Sequence, residues 1–368
     1  MTCGRSPIEN NGGIETHVRE ISRRLAAKGA NVKVLSVSAN CRQPNWVKID
    51  GVRFEIYPAI APFETYHFSM PLFMALKSDN SEILHAHGYQ TFSTLAALLN
   101  KKPEQKLFVT LHSAWPQNQL TVLTNKSYRV LLKKLLNKAD KIIGVSSTDL
   151  RLFGLDQPYS ANGSRISIIP NGVDFAEFAT EKPLPHLVPE NCRFILSVGR
   201  LEEYKGHNYV IEAFANLKTM QPDYKDLKLV IVGSGNYKGK LEQLIHRFNL
   251  GLDVLLLNNI DRCNLIGLYQ KCQMFVLLSR YESQGISVLE AIAAGKPSLV
   301  SLTSALSEFV QKGCSTGISF PPKADEVAAA MQEILTNPQH FVPKNREFYS
   351  WSSVTEQLKR LYEDVLYG

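Results

Sequence analysis

A chain of 368 residues exceeds what one hydrophobic core usually organises, so two domains of ordinary size are expected. A hydrophobic share of 44% and a charged share of 20% are those of a folded globular protein and exclude a disordered chain. The formal net charge of +7 arises wholly before Pro183, where 22 Lys and Arg face 15 Asp and Glu, so an anionic surface or acceptor is expected to meet the N-terminal half.

No apolar run approaches the ~20 residues of a membrane span, and the N-terminus lacks the apolar core of a signal peptide. A cytoplasmic protein is expected, with peripheral contact at an anionic membrane face as the variant that the basic N-terminal half allows. Six cysteines are scattered without a C-x-x-C pair, which fits free thiols in a reducing compartment and gives no metal-binding spacing. No recognised nucleic-acid module or interleaving of aromatic and basic residues occurs, so nucleic acid is not an expected partner.

In chain order, Asn10-Asn-Gly-Gly13 reads as a turn into a helix over 14–28. Ile14, Val18, Ile21 and Leu25 form its apolar stripe and Gly29 its stop. Before that turn, Met1 to Pro7 carry no pattern of a strand. The first sheet is therefore expected to lack its central first strand, as if the start were truncated or misassigned. Further strands are expected over 32–37, 53–57, 82–85, 107–110, 141–145 and 165–169, with helical patterns between most of them. Residues 125–138 read as a basic amphipathic helix, with Lys133, Lys134 and Lys138 on its outer face.

Pro183, Pro185 and Pro189 mark a stiff linker. The alternation then restarts with strands over 193–198, 227–232, 253–257, 274–278, 298–301 and 317–320. Two doubly wound α/β domains in series follow, over 1–182 and 183–350, with a ligand cleft expected beyond the C-terminal ends of both sheets. An amphipathic helix closes the chain over 351–368.

Several motifs carry chemistry. Val198-Gly-Arg-Leu-Glu-Glu-Tyr-Lys-Gly206 places Arg200 at a strand end and Lys205 at the next helix start. Two fixed cations there would neutralise charge building on a departing diphosphate. Ser279-Arg-Tyr-Glu-Ser-Gln-Gly-Ile-Ser-Val-Leu-Glu-Ala-Ile-Ala-Ala-Gly-Lys-Pro297 follows the apolar run ending at Leu278. Gly285 opens a helix there, with Ile286, Leu289 and Ile292 on one face. Strand, glycine turn and helix N-terminus aim backbone N–H groups at an anion. Glu282 lies on that turn and Glu290 about one turn inside the helix. A glycosidase pair is a rival reading: eight helical rises would separate the two by about 12 Å, beyond the ~5–9.5 Å of hydrolytic carboxylate pairs, but Glu282 lies on the turn, which leaves the distance open at this point.

The Glu-x7-Glu element, together with Gly-Arg-Leu-x-x-x-Lys-Gly, resembles the signature of the retaining glycosyltransferases of family 4, which have the two-domain GT-B fold. Ser283 and Gln284 stand where that family usually has Gly and an aromatic. The resemblance implies that Arg200 and Lys205 bind the distal phosphate, that amides at Gly285, Ile286 and Ser287 hold the diphosphate, and that Glu290 holds the ribose. It also implies that Glu282 and His112 face the donor sugar and that Gly12 and Gly13 approach the diphosphate. His87, in Ile83-Leu-His-Ala-His-Gly88, would line the cleft, Asn171 the turn beside it, and the backbone at Ile260 the nucleotide base. The final helix would cross back to the first domain.

The implied reaction takes a sugar from a UDP-, GDP- or ADP-sugar to an acceptor hydroxyl with retention, needing no cofactor. No Asp-x-Asp motif occurs, and the His85–His87 pair has no acidic or third histidine partner in register, so no metal is expected. Rivals remain open at this point: a nucleotide-sugar epimerase or phosphorylase of the same fold, or a binding subunit without turnover. An NAD-linked dehydrogenase is a third, disfavoured because Lys238 occupies the third glycine position after Gly233-Ser-Gly235.

Overall fold

The computed structural model describes residues 1–10, 12–63, 66–89, 91–112, 134–155, 165–189 and 191–368. It consists of two compact units: Met1–Gly172 with Trp351–Gly368, and Val173–Ser350. The break falls at Gly172 rather than Lys182. Val173 donates its N–H to the Tyr349 carbonyl at 2.8 Å, and Phe178 is buried in the second unit's core, so the residues before the proline-rich stretch belong to that unit.

The first unit is built on an eight-stranded sheet. Its strands are β1 (Thr2–Cys3), β2 (Lys33–Ser38), β3 (Asn45–Ile49), β4 (Val52–Pro58), β7 (Ile83–His87), β8 (Lys106–Thr110), β9 (Lys141–Gly144) and β10 (Ile166–Ile168). They run in the order β10-β9-β8-β7-β1-β2-β4-β3, all parallel except the edge strand β3. A separate hairpin pairs β5 (Ile60–Phe63) with β6 (Tyr66–Phe68).

The expectation of a missing first strand is corrected here. Thr2 pairs with both Leu35 and Ala86, and Cys3 with His87, so β1 fills the central place. Leu35 also donates its N–H to the Met1 carbonyl at 2.9 Å. Two residues are too few to show a two-residue hydrophobic period, which is why the sequence hides this strand.

Helices cover the sheet: α1 (Gly13–Ala27), α2 (Met70–Ser78), α3 (Phe92–Asn100) and α4 (Ser147–Leu152). Val18, Ile21 and Leu25 of α1 bury the predicted stripe against β-strand residues Val34 and Phe54 in one core cluster. Residues 125–133 of the basic segment lie outside the described residues; Lys134 and Leu135 are helical, and Leu136–Lys138 form a 3-10 turn.

The second unit carries a six-stranded, all-parallel sheet in the order β13-β12-β11-β14-β15-β16. Its strands are β11 (Phe194–Val198), β12 (Lys228–Val232), β13 (Val254–Leu257), β14 (Met274–Leu277), β15 (Ser298–Ser301) and β16 (Thr316–Ile318). Helices α5 (His207–Met220), α6 (Lys238–Arg247), α7 (Arg262–Lys271), α8 (Ile286–Ala293), α9 (Leu306–Gln311) and α10 (Ala324–Thr336) join them. Strands β11 to β14 are almost wholly apolar because both faces are covered, giving two clusters of buried side chains.

The last helix, α11 (Trp351–Tyr367), packs in the first unit. Trp351, Val354, Leu358 and Tyr362 share a core with α1 and β8 residue Phe108. Among the described residues no helix is long and apolar enough to cross a membrane.

Candidate active site

In an open parallel sheet, ligands bind beyond the C-terminal strand ends where the strand order reverses. In the second unit that point lies between β11 and β14. Arg200 follows β11, and Lys205 ends a 3-10 turn, Glu203–Lys205. Gly206 comes next with a φ of +73° and caps α5. A Cβ on Gly206 would overlap the carbonyl oxygen of Leu278 at the end of β14, so only glycine lets the two loops approach this closely.

That approach brings the two motifs together. Lys205 donates from Nζ to Glu282 Oε1 at 2.5 Å, and Ser279 Oγ donates to the same oxygen at 2.8 Å. The Glu282 backbone N–H donates to Ser304 Oγ at 2.9 Å, which fixes the turn from the far side. Arg280 is tied back in turn, its N–H reaching the Tyr204 carbonyl at 2.7 Å. Arg200 is exposed and donates to the Tyr204 hydroxyl at 2.5 Å. The expected phosphate cation and the expected sugar carboxylate therefore form one partly buried ion pair. The sequence holds no sign of this pairing, because the partners are 77 positions apart.

Gly285, with φ of +96°, opens α8. The N–H groups of Gly285, Ile286 and Ser287 precede any intrahelical acceptor and form the positive end of the helix. Leu289 and Ile292 are buried as expected, whereas Ile286 is 40% exposed. At the first helical position its side chain stays outside the core, so the apolar stripe begins one turn later than the pattern implies.

Glu290 accepts from Arg262 NH1, and the same guanidinium bonds Glu177 through NH2 at 2.7 Å. Arg262 opens α7 after the N-cap Asp261, directly beyond Ile260, which is half-buried against the core. Nothing in the sequence marks Arg262 or Glu177. Their type and spacing look like ordinary surface charge until the fold brings them to Glu290.

A second set of candidates gathers in the first unit, again at the reversal point, between β1 and β7. Gly12 caps α1 and Gly13 is its first residue. Arg5 bonds Glu15 at 2.7 Å against Gly12, where a side chain would overlap the Glu15 carboxylate. His87 ends β7, and His112 follows β8 with a φ of +46°, a left-handed backbone costly for a non-glycine residue. His17, on α1, completes the group with ring centroids 5.4 Å from His87 and 4.6 Å from His112. Its Nδ1 lies 2.7 Å from Asn171 Oδ1. The sequence does not single out His17, because the turn-and-helix pattern of its segment explains itself without it.

His85 plays a structural part. Its ring nitrogens meet the Tyr362 hydroxyl at 2.6 Å and Thr110 Oγ1 at 2.8 Å, so it ties α11 to the sheet. Burial holds these rings neutral: it lowers the His17 pKa to about 4 and those of His85, His87 and His112 well below 6.5.

His207 in the second unit is likewise buried, with its pKa lowered by burial to about 4. Below pH 6.5 the unfolded chain binds a proton that the folded unit refuses, so this contribution to stability is full at neutral pH and lost on acidification. Between pH 7 and 4.5 His207 is expected to remove about 2–3 kcal/mol from the stability of the second unit. Denaturant unfolding of the parent and His207→Gln at both pH values checks this; equal losses in the two proteins would contradict it.

Two family models divide the chain between them. Glycosyltransferase Family 4 matches residues 11–177, and Glycosyl transferases group 1 matches residues 179–350. The chain belongs to glycosyltransferase family 4. Among curated relatives, this glycosyltransferase is 25% identical to a D-inositol 3-phosphate glycosyltransferase of Corynebacterium urealyticum, covering 98% of this chain and 93% of the relative.

The fold agrees. A sucrose-phosphate synthase from Thermosynechococcus elongatus superposes with a TM-score of 0.75 at 20% identity, over 99% of this chain and 98% of the other. HepE of Anabaena, solved in complex with UDP-glucose, gives 0.72 at 16% identity, over 99% and 98%. The glycosyltransferase has the GT-B fold, built from two Rossmann-like units.

Proposed function

We propose that this glycosyltransferase transfers a sugar from a nucleotide-sugar donor to an acceptor hydroxyl, with retention at the anomeric carbon. One observation carries the reading: at the reversal point of the second sheet, a half-buried lysine, a buried carboxylate and a helix N-terminus converge, with Lys205 2.5 Å from Glu282. This arrangement suits a diphosphate joined to a hydroxylated ring. The UDP-glucose in the HepE complex is a ligand of that form.

In this reading the anomeric C–O bond breaks with its electron pair going to the diphosphate. Arg200, Lys205 and the amides of Gly285, Ile286 and Ser287 stabilise the charge that develops. Glu282 and His112 position the sugar, and Glu290 accepts hydrogen bonds from the ribose hydroxyls in place of its bond from Arg262. The acceptor attacks on the face that the diphosphate vacates, so its proton reaches the departing phosphate oxygen and no protein nucleophile is used. The chain's own cations meet the diphosphate charge, so the donor step runs without a resident metal. The positive charge concentrated before Pro183 supports an acceptor that is itself anionic, as the D-inositol 3-phosphate in the relative's name is.

The donor is found by a thermal-shift screen of UDP-, GDP- and ADP-sugars against the parent. Glu290→Ala should then weaken that donor at least tenfold by calorimetry, the value of about 1.4 kcal/mol for a lost charge-assisted hydrogen bond. Unchanged affinity would remove Glu290 from the donor site.

A further inference from the structure

The first unit holds a group of three histidines of which the proposed transfer reaction uses only His112. His17, His87 and His112 each offer one ring nitrogen, and the three nitrogens lie within 4.8 Å of one another. All three residues are buried, and they come from three elements: α1, the end of β7 and the residues after β8. The sequence hides this group, since only the His85–His87 spacing looks like a ligand pair, and His85 is already bonded at both ring nitrogens.

We propose that His17, His87 and His112 form a binding site for a borderline transition-metal cation, with Zn²⁺ as the fitting ion. Three neutral imidazoles with one position left for water or substrate are a known zinc donor set. Zn–N bonds of about 2.0–2.1 Å in tetrahedral geometry put ligand nitrogens roughly 3.4 Å apart. His87 Nδ1 and His112 Nε2 already stand 3.5 Å apart.

Two further observations point to a ligand. His87 Nε2, the ring nitrogen turned away from His112, is buried without a hydrogen-bond partner among the described residues, so no protein hydrogen bond there opposes a flip of the ring that would bring either nitrogen to an ion. Asn171 Oδ1 sits 2.7 Å from His17 Nδ1. Donation to that oxygen fixes the ring and leaves Nε2 unprotonated, the outer hydrogen bond that metal-bound histidines ordinarily make. Carboxylates are absent from the trio, which disfavours Mg²⁺ and Ca²⁺, whose ligands are oxygens.

The inference rests on the proposed function in one respect only. His112 is assigned there to the transferred sugar, so a cation on this trio would compete with the sugar and inhibit transfer rather than assist it. Occupancy itself is independent of that assignment and is measured without any substrate.

Metal-free full-length protein is titrated with Zn²⁺ by calorimetry and with Co²⁺ by visible absorption. One ion per chain is expected, with the intense visible bands of tetrahedral Co²⁺. His17→Gln should weaken binding at least tenfold, and Asn171→Ala by about 10- to 100-fold, as loss of an outer-sphere partner typically does. His186→Gln, at an exposed position in the second unit, should change nothing. Circular dichroism and melting temperature establish that each variant is folded, and a misfolded His17→Gln is replaced by His87→Gln. The proposal is overturned if no saturable one-to-one binding occurs, or if the folded variants bind as the parent does. If binding occurs while transfer remains uninhibited, the metal site stands and the placement of His112 on the sugar fails.

Discussion

Lys205→Ala is expected to lower kcat/KM by about two to three orders of magnitude, most of it in kcat. The charge of Lys205 is held in place by Glu282 at 2.5 Å, and Glu282 is itself fixed by Ser279 at 2.8 Å. A cation already ordered before the diphosphate departs needs no reorganisation as negative charge develops, which is where such groups act most strongly. The same substitution strips a mostly buried carboxylate of its charged partner, so some loss of melting temperature should accompany it. Ser279→Ala separates the two effects, because it loosens Glu282 while keeping the cation; its kcat should fall far less than that of Lys205→Ala. Turnover of folded Lys205→Ala within threefold of the parent would contradict the assignment.

The second large effect concerns Gly206. Substitution by alanine is expected to destabilise the second unit by about 3–5 kcal/mol, summing left-handed backbone strain and a forced backbone shift. The added Cβ would collide with the Leu278 carbonyl, a backbone atom at the end of β14 that cannot swing aside. Gly29 supplies the control. Its φ of +89° is as demanding, yet a Cβ there meets nothing within 4 Å. Gly29→Ala should therefore cost only about 1–2 kcal/mol, the backbone contribution alone. Equal losses at the two sites, measured by denaturant unfolding, would show that close approach of the Lys205 and Glu282 loops is unimportant.

The alternation of buried strands and amphipathic helices is legible because parallel strands covered on both faces are nearly continuous apolar runs, as in Leu229–Val232 and Phe275–Leu277. Where that physics does not hold, the sequence is silent. Strand β1 is two residues long and shows no period. Strand β3 is an edge strand exposed along its length, so no burial pattern marks it.

At the site, the motif residues Arg200, Lys205, Glu282, Gly285 and Glu290 are legible as types in order. Their partners are not, since Lys205 with Glu282, Arg262 with Glu290, and His17 with His112 meet only through tertiary structure. Ile286 departs from its pattern for a local reason: the first residue of a helix is still leaving the loop, and the amphipathic rule applies only once the turn has closed.

The most direct test is to crystallise the full chain with UDP, GDP and ADP in parallel and locate the diphosphate. At least one of them is expected to bind with its phosphate oxygens within about 3.2 Å of Lys205 Nζ and of the amides at Gly285 to Ser287, with the ribose at Glu290. A diphosphate bound away from the loops after β11 and β14, or none bound at all at millimolar concentration, would contradict it.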